Sequence, residues 1–355
     1  MGKTRGPLPL FATGAALLAL LAAHPAGAIT IKPKFDSSIT RLSNAAQIES
    51  AFNAVASHFD TSLKSKAVIY ITVSWGSVGG SALPNGDIGA SIDNLYDGFT
   101  YADVRSYLDA AAAANPLDKT LALAAKDLPS VNPTKKGDFA FSYADAKALG
   151  LLPPTQTLPD GFVGFKAISN YAFTKASMGP GLYDFRAVAA HEIEEVLGRM
   201  SALGSGGTSY AMPFDLFRYS SYLHPSFGYD TAAYFSINRG ATNLGAFDYS
   251  GGGDRGDWGS ASLDVQDALL SSGKVMSIGA ADFTALDALG WDAAVNPGGF
   301  SATTLRSGVE GFSATPEPAT WAISICGIAL TGAALRRRRA AKTKAPPAWT
   351  DGALA

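Results

Sequence analysis

The sequence predicts a domain of the α+β class, with a small mixed sheet over helices and a loop-rich C-terminal part. Apolar residues recur at helical spacing from Ser43 to Leu63, which predicts an amphipathic helix with Ser43 or Asn44 as its N-cap. The run from Ala67 to Trp75 is rich in β-branched and aromatic residues and ends at a glycine, which is typical of a strand. After Gly198 the chain becomes rich in glycine, serine and aromatic residues.

The other elements follow from similar patterns. Residues 76–98 are rich in glycine, serine and asparagine, which predicts a long surface loop. A final helix is predicted from Asp282 to Gly290, because glycine commonly ends helices. Further helices are predicted at Tyr101–Ala114, Leu117–Lys126 and Tyr143–Leu149, and a further strand at Val163–Ile168.

Composition limits the possible classes of protein. The chain has 355 residues, of which 47% are hydrophobic and 16% charged, so it is too apolar to be disordered. No internal repeat is visible, which indicates a single domain that spans residues 29–296. A linker follows at residues 297–314. The net charge of −2 shows no basic excess, and there is no nucleic-acid-binding motif, so we expect no nucleic-acid partner.

Sequence patterns at the N-terminal and C-terminal ends of the chain predict that the protein is exported. Lys3 and Arg5, an apolar run and the small residues Ala26 to Ala28 are typical of a secretory signal over residues 1–28, cleaved after Ala28. The mature domain would then lie outside the cytoplasm. Its stability would not depend on disulfides, because the only cysteine of the chain is Cys326.

The C-terminal region has three parts in order. Thr-Pro-Glu-Pro at 315–318 precedes an uncharged, mostly apolar stretch at 319–335 and four arginines at 336–339, and residues 340–355 form a basic tail. This pattern resembles the PEP-CTERM sorting signal of Gram-negative bacteria, which an exosortase recognises and processes. The resemblance implies transient inner-membrane anchoring through 319–335, then release to the envelope surface or the medium. A simple membrane anchor is the alternative.

The segment His191-Glu192-Ile193-Glu194-Glu195-Val196-Leu197-Gly198-Arg199 predicts a catalytic zinc site on a helix. At helical spacing, His191, Glu195 and Gly198 fall on one arc of the helix. A zinc hydrolase needs three protein ligands, an open position for water and a nearby carboxylate as a base. We therefore predict His191 and Glu195 as ligands and Glu192 as the base. The alternative is an ordinary solvated His–Glu pair.

The same segment resembles the metzincin pattern His-Glu-x-x-His-x-x-Gly-x-x-His, with Glu195 in place of the second histidine and Ser201 in place of the third. The chain also looks like a family of exported bacterial metalloproteases with a PEP-CTERM tail, a His-Glu-Ile-x-Glu-Val-Leu-Gly-Arg helix and a later Asp-Leu-Phe-Arg-Tyr-Ser motif. That motif is found here at Asp215–Ser220, and the likeness covers most of Val68–Trp291. The resemblance implies a zincin-like fold and a zinc metalloprotease.

The third zinc ligand has two candidates. Asp215 belongs to the family-like motif and follows Pro213 in a loop that can fold back over the helix, so we favour it. His224 is the better ligand chemically but lies in a stretch with no other signal. Tyr219 or Tyr210 is a candidate donor to the oxyanion of the transition state, although packing is the commoner role of such residues.

A second ion is suggested by the turn Gly253-Asp254-Arg255-Gly256-Asp257-Trp258. Asp254 and Asp257, with Asp248 nearby, could bind a structural calcium, which prefers oxygen ligands. A glycine-rich turn with solvated aspartates is the commoner structure. Arg218 could pair with Glu194 or Asp215 and orient the site.

Together these patterns predict a zinc-dependent endopeptidase that hydrolyses peptide or protein substrates at or outside the cell envelope. Two other functions fit the sequence. One is an exported surface or matrix protein that keeps the fold without activity, and the other is a module that binds extracellular polysaccharide through its many aromatic residues.

Overall fold

The computed structural model describes residues 27–204, 209–249, 253–259 and 262–293. It confirms the α+β class, with several small sheets and seven α-helices within these ranges. The helices are α1 (Ser37–Thr40), α2 (Ala45–Ser62), α3 (Tyr101–Ala114), α4 (Lys119–Asp127), α5 (Tyr143–Ala148), α6 (Phe185–Val196) and α7 (Ala280–Ala288). The strands are β1 (Thr30–Phe35), β2 (Val68–Trp75), β3 (Ser77–Val78), β4 (Ser81–Ala82), β5 (Gly89–Asp93), β6 (Leu95–Phe99), β7 (Asp138–Ser142), β8 (Gly161–Phe165), β9 (Tyr171–Ala172), β10 (Tyr183–Asp184), β11 (Tyr210–Ala211), β12 (Arg218–Ser221), β13 (His224–Pro225), β14 (Tyr234–Phe235) and β15 (Gly245–Ala246).

The sheet that positions the site has the strand order β1-β2-β8-β5. Strands β1, β2 and β8 are parallel, whereas β5 at the edge is antiparallel to β8. In that pair Gly89 lies opposite Phe165, and Asp93 lies opposite Gly161. The sheet therefore ends in an antiparallel edge strand.

Helices α2 and α6 pack together beneath this sheet. Helix α6 contacts β5, β8 and α2, and α2 contacts β1. The buried face of α2 includes Ile48, Phe52 and Phe59, which follow its helical periodicity. Burial of each such side chain stabilises the fold by about 1.5–3 kcal/mol. This core fixes α6 against the edge strand.

The remaining elements surround that core. Strands β11, β7 and β6 form a three-stranded sheet, with α3 against β7, and α4 packs on α3 and α7. Strands β13, β12, β14 and β15 form another small sheet. The chain then returns to α6, where the buried indole of Trp291 donates to the carbonyl of Leu197 at 2.8 Å. The loop-rich C-terminal part is therefore anchored on the site helix.

The predicted long helices and the strand of β2 are confirmed, with ends shifted by at most two residues, and Asn44 is the N-cap of α2. The strand predicted at Val163–Ile168 begins two residues earlier, at Gly161. The surface loop predicted for residues 76–98 is wrong, because this stretch contains β3, β4, β5 and most of β6. Gly89, Ala90 and Ser91 in β5 are buried, although their small side chains carry little strand signal.

The predicted signal at 1–28 lies outside the described residues except for its last two positions, and the predictions for 297–355 lie wholly outside them. None of the helices in the described ranges combines the length and the hydropathy needed to cross a bilayer.

Candidate metal centre

Helix α6 carries the site, and local sequence fixes both of its ends. The Asp184 carboxylate caps the helix by accepting a hydrogen bond from the backbone N–H of Arg186 at 3.1 Å. The ring of Phe185 packs against Phe165 of β8, with centroids 4.4 Å apart. The helix stops before Gly198, whose φ of 102° is a conformation that glycine adopts without strain.

Three side chains converge on one point beside α6. The Nε2 atom of His191 lies 3.6 Å from Glu195 Oε1 and 3.6 Å from Asp257 Oδ1. The three ligand atoms all lie within 4.8 Å of one another, and all three residues are buried. Ligands about 2.0–2.2 Å from a tetrahedral zinc lie roughly 3.3 Å apart, so the two distances from His191 Nε2 are close to those between zinc ligands. The solvated-pair alternative for His191 and Glu195 does not describe this arrangement.

The second nitrogen of the histidine is held by the backbone. His191 Nδ1 lies 2.9 Å from the carbonyl oxygen of Val265, and because a carbonyl only accepts, Nδ1 carries a hydrogen. Nε2 is thereby directed at the two carboxylates, as in metal sites where an outer partner fixes the ring. Burial lowers the pKa of His191, but the charges of Asp257, Glu195 and Glu192 outweigh it, so the pKa lies well above its usual value.

Both carboxylates have partners that orient them. The hydroxyl of Ser91 on β5 donates to Glu195 Oε2 at 2.6 Å, which leaves Oε1 facing the histidine. The backbone N–H of Asp254 donates to Asp257 Oδ2 at 3.1 Å, which leaves Oδ1 facing it too. Burial raises the pKa of Glu195, but the bond and charge of His191 and the bond from Ser91 outweigh burial and lower it overall.

Glu192 lies next to the trio without joining it. Its Oε2 atom is buried and has no hydrogen-bond partner among the described residues. Burial and the charge of Glu195 raise the pKa of Glu192 well above its usual value. A small cavity of about 30 Å³ is lined by Glu192, His191, Asp257 and the Gly89 backbone, among others. That volume holds one or two water molecules beside the carboxylate.

A buried arginine ties the site helix to the loop that supports it. Arg199 lies 3.6 Å from both Glu194 and Asp282, stacks over Trp258 at 4.3 Å, and donates to the side chain of Gln266. The amide of Gln266 in turn donates to the carbonyl of His191 at 3.1 Å. This network holds the segment around Gln266 against α6.

Asp215, the favoured third ligand, lies elsewhere, and the structure does not bring it to His191 and Glu195. Its carboxylate accepts from the hydroxyl of Ser201 at 2.6 Å and from the backbone N–H groups of Ala202 at 3.1 Å and Met212 at 2.9 Å. It thus closes the turn after α6. Its lone pairs are used locally, and Asp257 takes the predicted place beside the histidine.

His224 and Tyr219, which were also predicted as site residues, lie away from the trio. His224 is exposed on β13, and its Nδ1 atom lies 2.7 Å from the carbonyl of Tyr222. Tyr219 is buried in β12, where burial raises its pKa to about 12, and its charged neighbours are Arg239 and Asp127 rather than the trio. Neither is part of the cluster.

The aspartates predicted to bind calcium are divided among different partners. Asp257 belongs to the trio, Asp248 accepts from Arg255 at 2.8 Å, and Asp254 Oδ1 accepts from the N–H of Gly256 at 2.8 Å. In the described part of the chain they form no separate group of three ligands. Arg218, expected to pair with Glu194 or Asp215, donates to the carbonyl of Arg255; burial lowers its pKa to about 10, and the charge of Asp215 acts in the opposite direction. Glu194 pairs with Arg199 instead.

Sequence reasoning missed three parts of the site: the role of Asp257, the supporting hydroxyl of Ser91 and the carbonyl of Val265. The Gly-Asp-Arg-Gly-Asp-Trp turn was a usable signal for Asp257, but its closely spaced acidic residues suggested a calcium site or a solvated turn rather than a ligand for the His191 centre. One imidazole and two carboxylates are a set of ligands that suits Zn²⁺. The Glu192 Oε2 atom has no hydrogen-bond partner among the described residues, and a carboxylate in this position suits the general base for a metal-bound water.

Comparisons with family models, with curated proteins and with solved structures find no match to this chain.

Proposed function

We propose that this protein is a zinc-dependent peptidase, with His191, Glu195 and Asp257 as ligands and Glu192 as the general base. The proposal rests on the convergence of one histidine and two carboxylates beside a buried glutamate, Glu192, whose Oε2 atom has no hydrogen-bond partner among the described residues. The sheet above α2 and α6, with its edge strand beside the site, agrees with the zincin-like fold that the metzincin resemblance implies. The predicted terminal signals favour action at or outside the cell envelope.

A zinc ion in this position would polarise the substrate carbonyl and acidify a water molecule. Glu192 would take a proton from the attacking water, because its buried Oε2 atom has no hydrogen-bond partner among the described residues. The same carboxyl would pass that proton to the leaving amine. In the metal-free protein burial keeps the pKa of Glu192 high, and a nearby cation would lower it toward the range useful for a base.

The other residues position these groups. Val265 and Ser91 hold the ligands in one orientation, so little reorganisation is needed when the ion binds. Strand β5 lies at the end of the sheet order and passes directly over Glu192 through Gly89. A peptide added alongside β5 would bring its backbone carbonyl beside the trio.

The test is the zinc content and peptidase activity of the purified protein and its Glu192→Gln variant. We expect about one zinc per chain in both proteins, because Glu192 is not a ligand. Activity on a casein or gelatin substrate should fall about 10²- to 10⁴-fold in the variant, as expected when a general base is lost.

Two other results would point to the other functions. A wild-type protein that takes up no zinc from excess metal would favour an exported surface protein without activity. Retention on a polysaccharide column that survives chelation, with no zinc and no hydrolysis, would favour the polysaccharide-binding module.

A further inference from the structure

A groove runs beside α6, one helical turn before His191. It encloses about 430 Å³, a volume in the range of small-ligand and short-peptide sites. Much of its wall is apolar, contributed by Val55 of α2, Ala187 and Ala190 of α6, and Met276 and Ile278 of the supporting loop.

The groove adjoins the candidate metal centre. Ala190 is the residue before His191, and Val265, whose carbonyl fixes the His191 ring, also lines the groove. At 1.5 Å and about 100° per residue, Arg186 lies roughly 7–8 Å along the helix axis from His191 and about 140° around it. The groove and the metal centre are therefore neighbouring sites on different faces of α6.

The charges of the groove differ from those of the catalytic cavity. Lys175 and Arg186 line the groove with Asp184 as the opposing carboxylate, which leaves an excess of positive charge. Asp184 is already used as the cap of α6, and Arg186 Nε is buried without a hydrogen-bond partner, 3.7 Å from Asp184. The cavity, by contrast, is lined by His191 together with the carboxyl groups of Glu192, Asp257 and Asp267.

An anionic group is therefore attracted to the basic groove. We propose that the groove binds the apolar C-terminal end of a peptide substrate, with the terminal carboxylate at Lys175 and Arg186. This inference rests on the proposed peptidase function for the peptide being a substrate, but the ligand class follows from the groove.

The test uses a fluorescent apolar tetrapeptide, dansyl-Ala-Leu-Leu-Phe, with either a free carboxylate or a C-terminal amide. Fluorescence anisotropy with the zinc-loaded Glu192→Gln protein measures binding without cleavage. We expect the acid to bind at least about tenfold more tightly than the amide, the effect of one charge-assisted contact. Lys175→Gln and Arg186→Gln should each reduce that preference without changing the zinc content.

Lys126→Gln is the matched control, because Lys126 is exposed on α4 and lies outside the groove. Equal binding of acid and amide, or an unchanged preference in Lys175→Gln, would overturn the inference. Because Lys175 lies in a short surface turn, this variant remains informative if Arg186→Gln fails to fold.

The experiments distinguish a wrong groove inference from a wrong peptidase proposal. A zinc protein that cleaves both peptides equally well keeps the proposed function and overturns the groove inference. A protein that prefers the acid but binds no zinc keeps the groove as a carboxylate-binding site and overturns the peptidase.

Discussion

Replacing Asp257 by asparagine should remove most of the zinc affinity and leave the fold intact. The asparagine oxygen can still accept from the N–H of Asp254, now at 3.1 Å, but the negative charge 3.6 Å from His191 Nε2 is lost. Structural zinc sites contribute about 10–16 kcal/mol through four ligands, so one charged ligand accounts for roughly 3 kcal/mol. That is about a 100-fold increase in the dissociation constant.

The assay is thermal unfolding at a zinc concentration 100 times the wild-type Kd. By the linkage relation, bound zinc raises the free energy of unfolding of the wild type by about 2.7 kcal/mol, which raises its melting temperature by roughly 5–10 °C. Under the same conditions zinc should raise the free energy of unfolding of Asp257→Asn by only about 0.4 kcal/mol and its melting temperature by roughly 1 °C. Asp215→Asn is the matched control: it loses local hydrogen bonds and melts earlier, but keeps the full zinc-dependent shift. A full shift in Asp257→Asn, or its loss in Asp215→Asn alone, would refute the assignment.

Three further substitutions test the parts around the trio. Gly89→Ala places a Cβ atom in the space occupied by Glu192 Oε1 and the Val188 side chain, so kcat should fall at least about tenfold while the zinc content is unchanged. Ser91→Ala removes the 2.6 Å bond to Glu195, so zinc affinity in a chelator competition should fall about 10- to 100-fold. Burial raises the pKa of Asp264 from 3.8 to about 8, so the folded state keeps a proton that the unfolded state releases, and stability falls as pH rises between those values. Asp264→Asn should flatten this fall when urea unfolding of the zinc-free protein is compared at about pH 5 and pH 8.

Each of these has a control on the surface. At Gly137 an added Cβ meets nothing within 4 Å, and Ser81 and Asp138 are exposed. Gly137→Ala, Ser81→Ala and Asp138→Asn should behave as the wild type. A site variant indistinguishable from its control would contradict the role given to that residue.

The sequence predicted the fold best where the signal is local. Helix α3 shows this, because Thr100 and Asp103 form a capping box that marks its start without reference to the rest of the chain. Strand β5 shows the opposite. Its small residues suit a strand only because α6 lies directly beneath them, and Gly89 leaves room for Glu192. That requirement comes from tertiary packing, which a local pattern does not contain.

The same distinction holds at the site. His191, Glu192 and Glu195 lie within one turn of a helix, so their spacing predicted their grouping, and the structure places them together. Asp257 comes from a distant turn, and nothing in local spacing specifies which loop returns to the helix. Asp215 was favoured through a family-like motif, but its hydrogen bonds to the turn after α6 give it a local structural role.

The distribution of the proposed metal centre along the chain has a consequence for the order in which it forms. His191 and Glu195 are synthesised earlier than Asp257 and Val265, and Arg199 and Gln266 join the later segment to α6. A nascent or truncated chain that ends before Asp257 has the helix but lacks the third residue of the trio. The proposed centre is therefore complete only when the segment that carries Asp257 has been synthesised and has packed against α6.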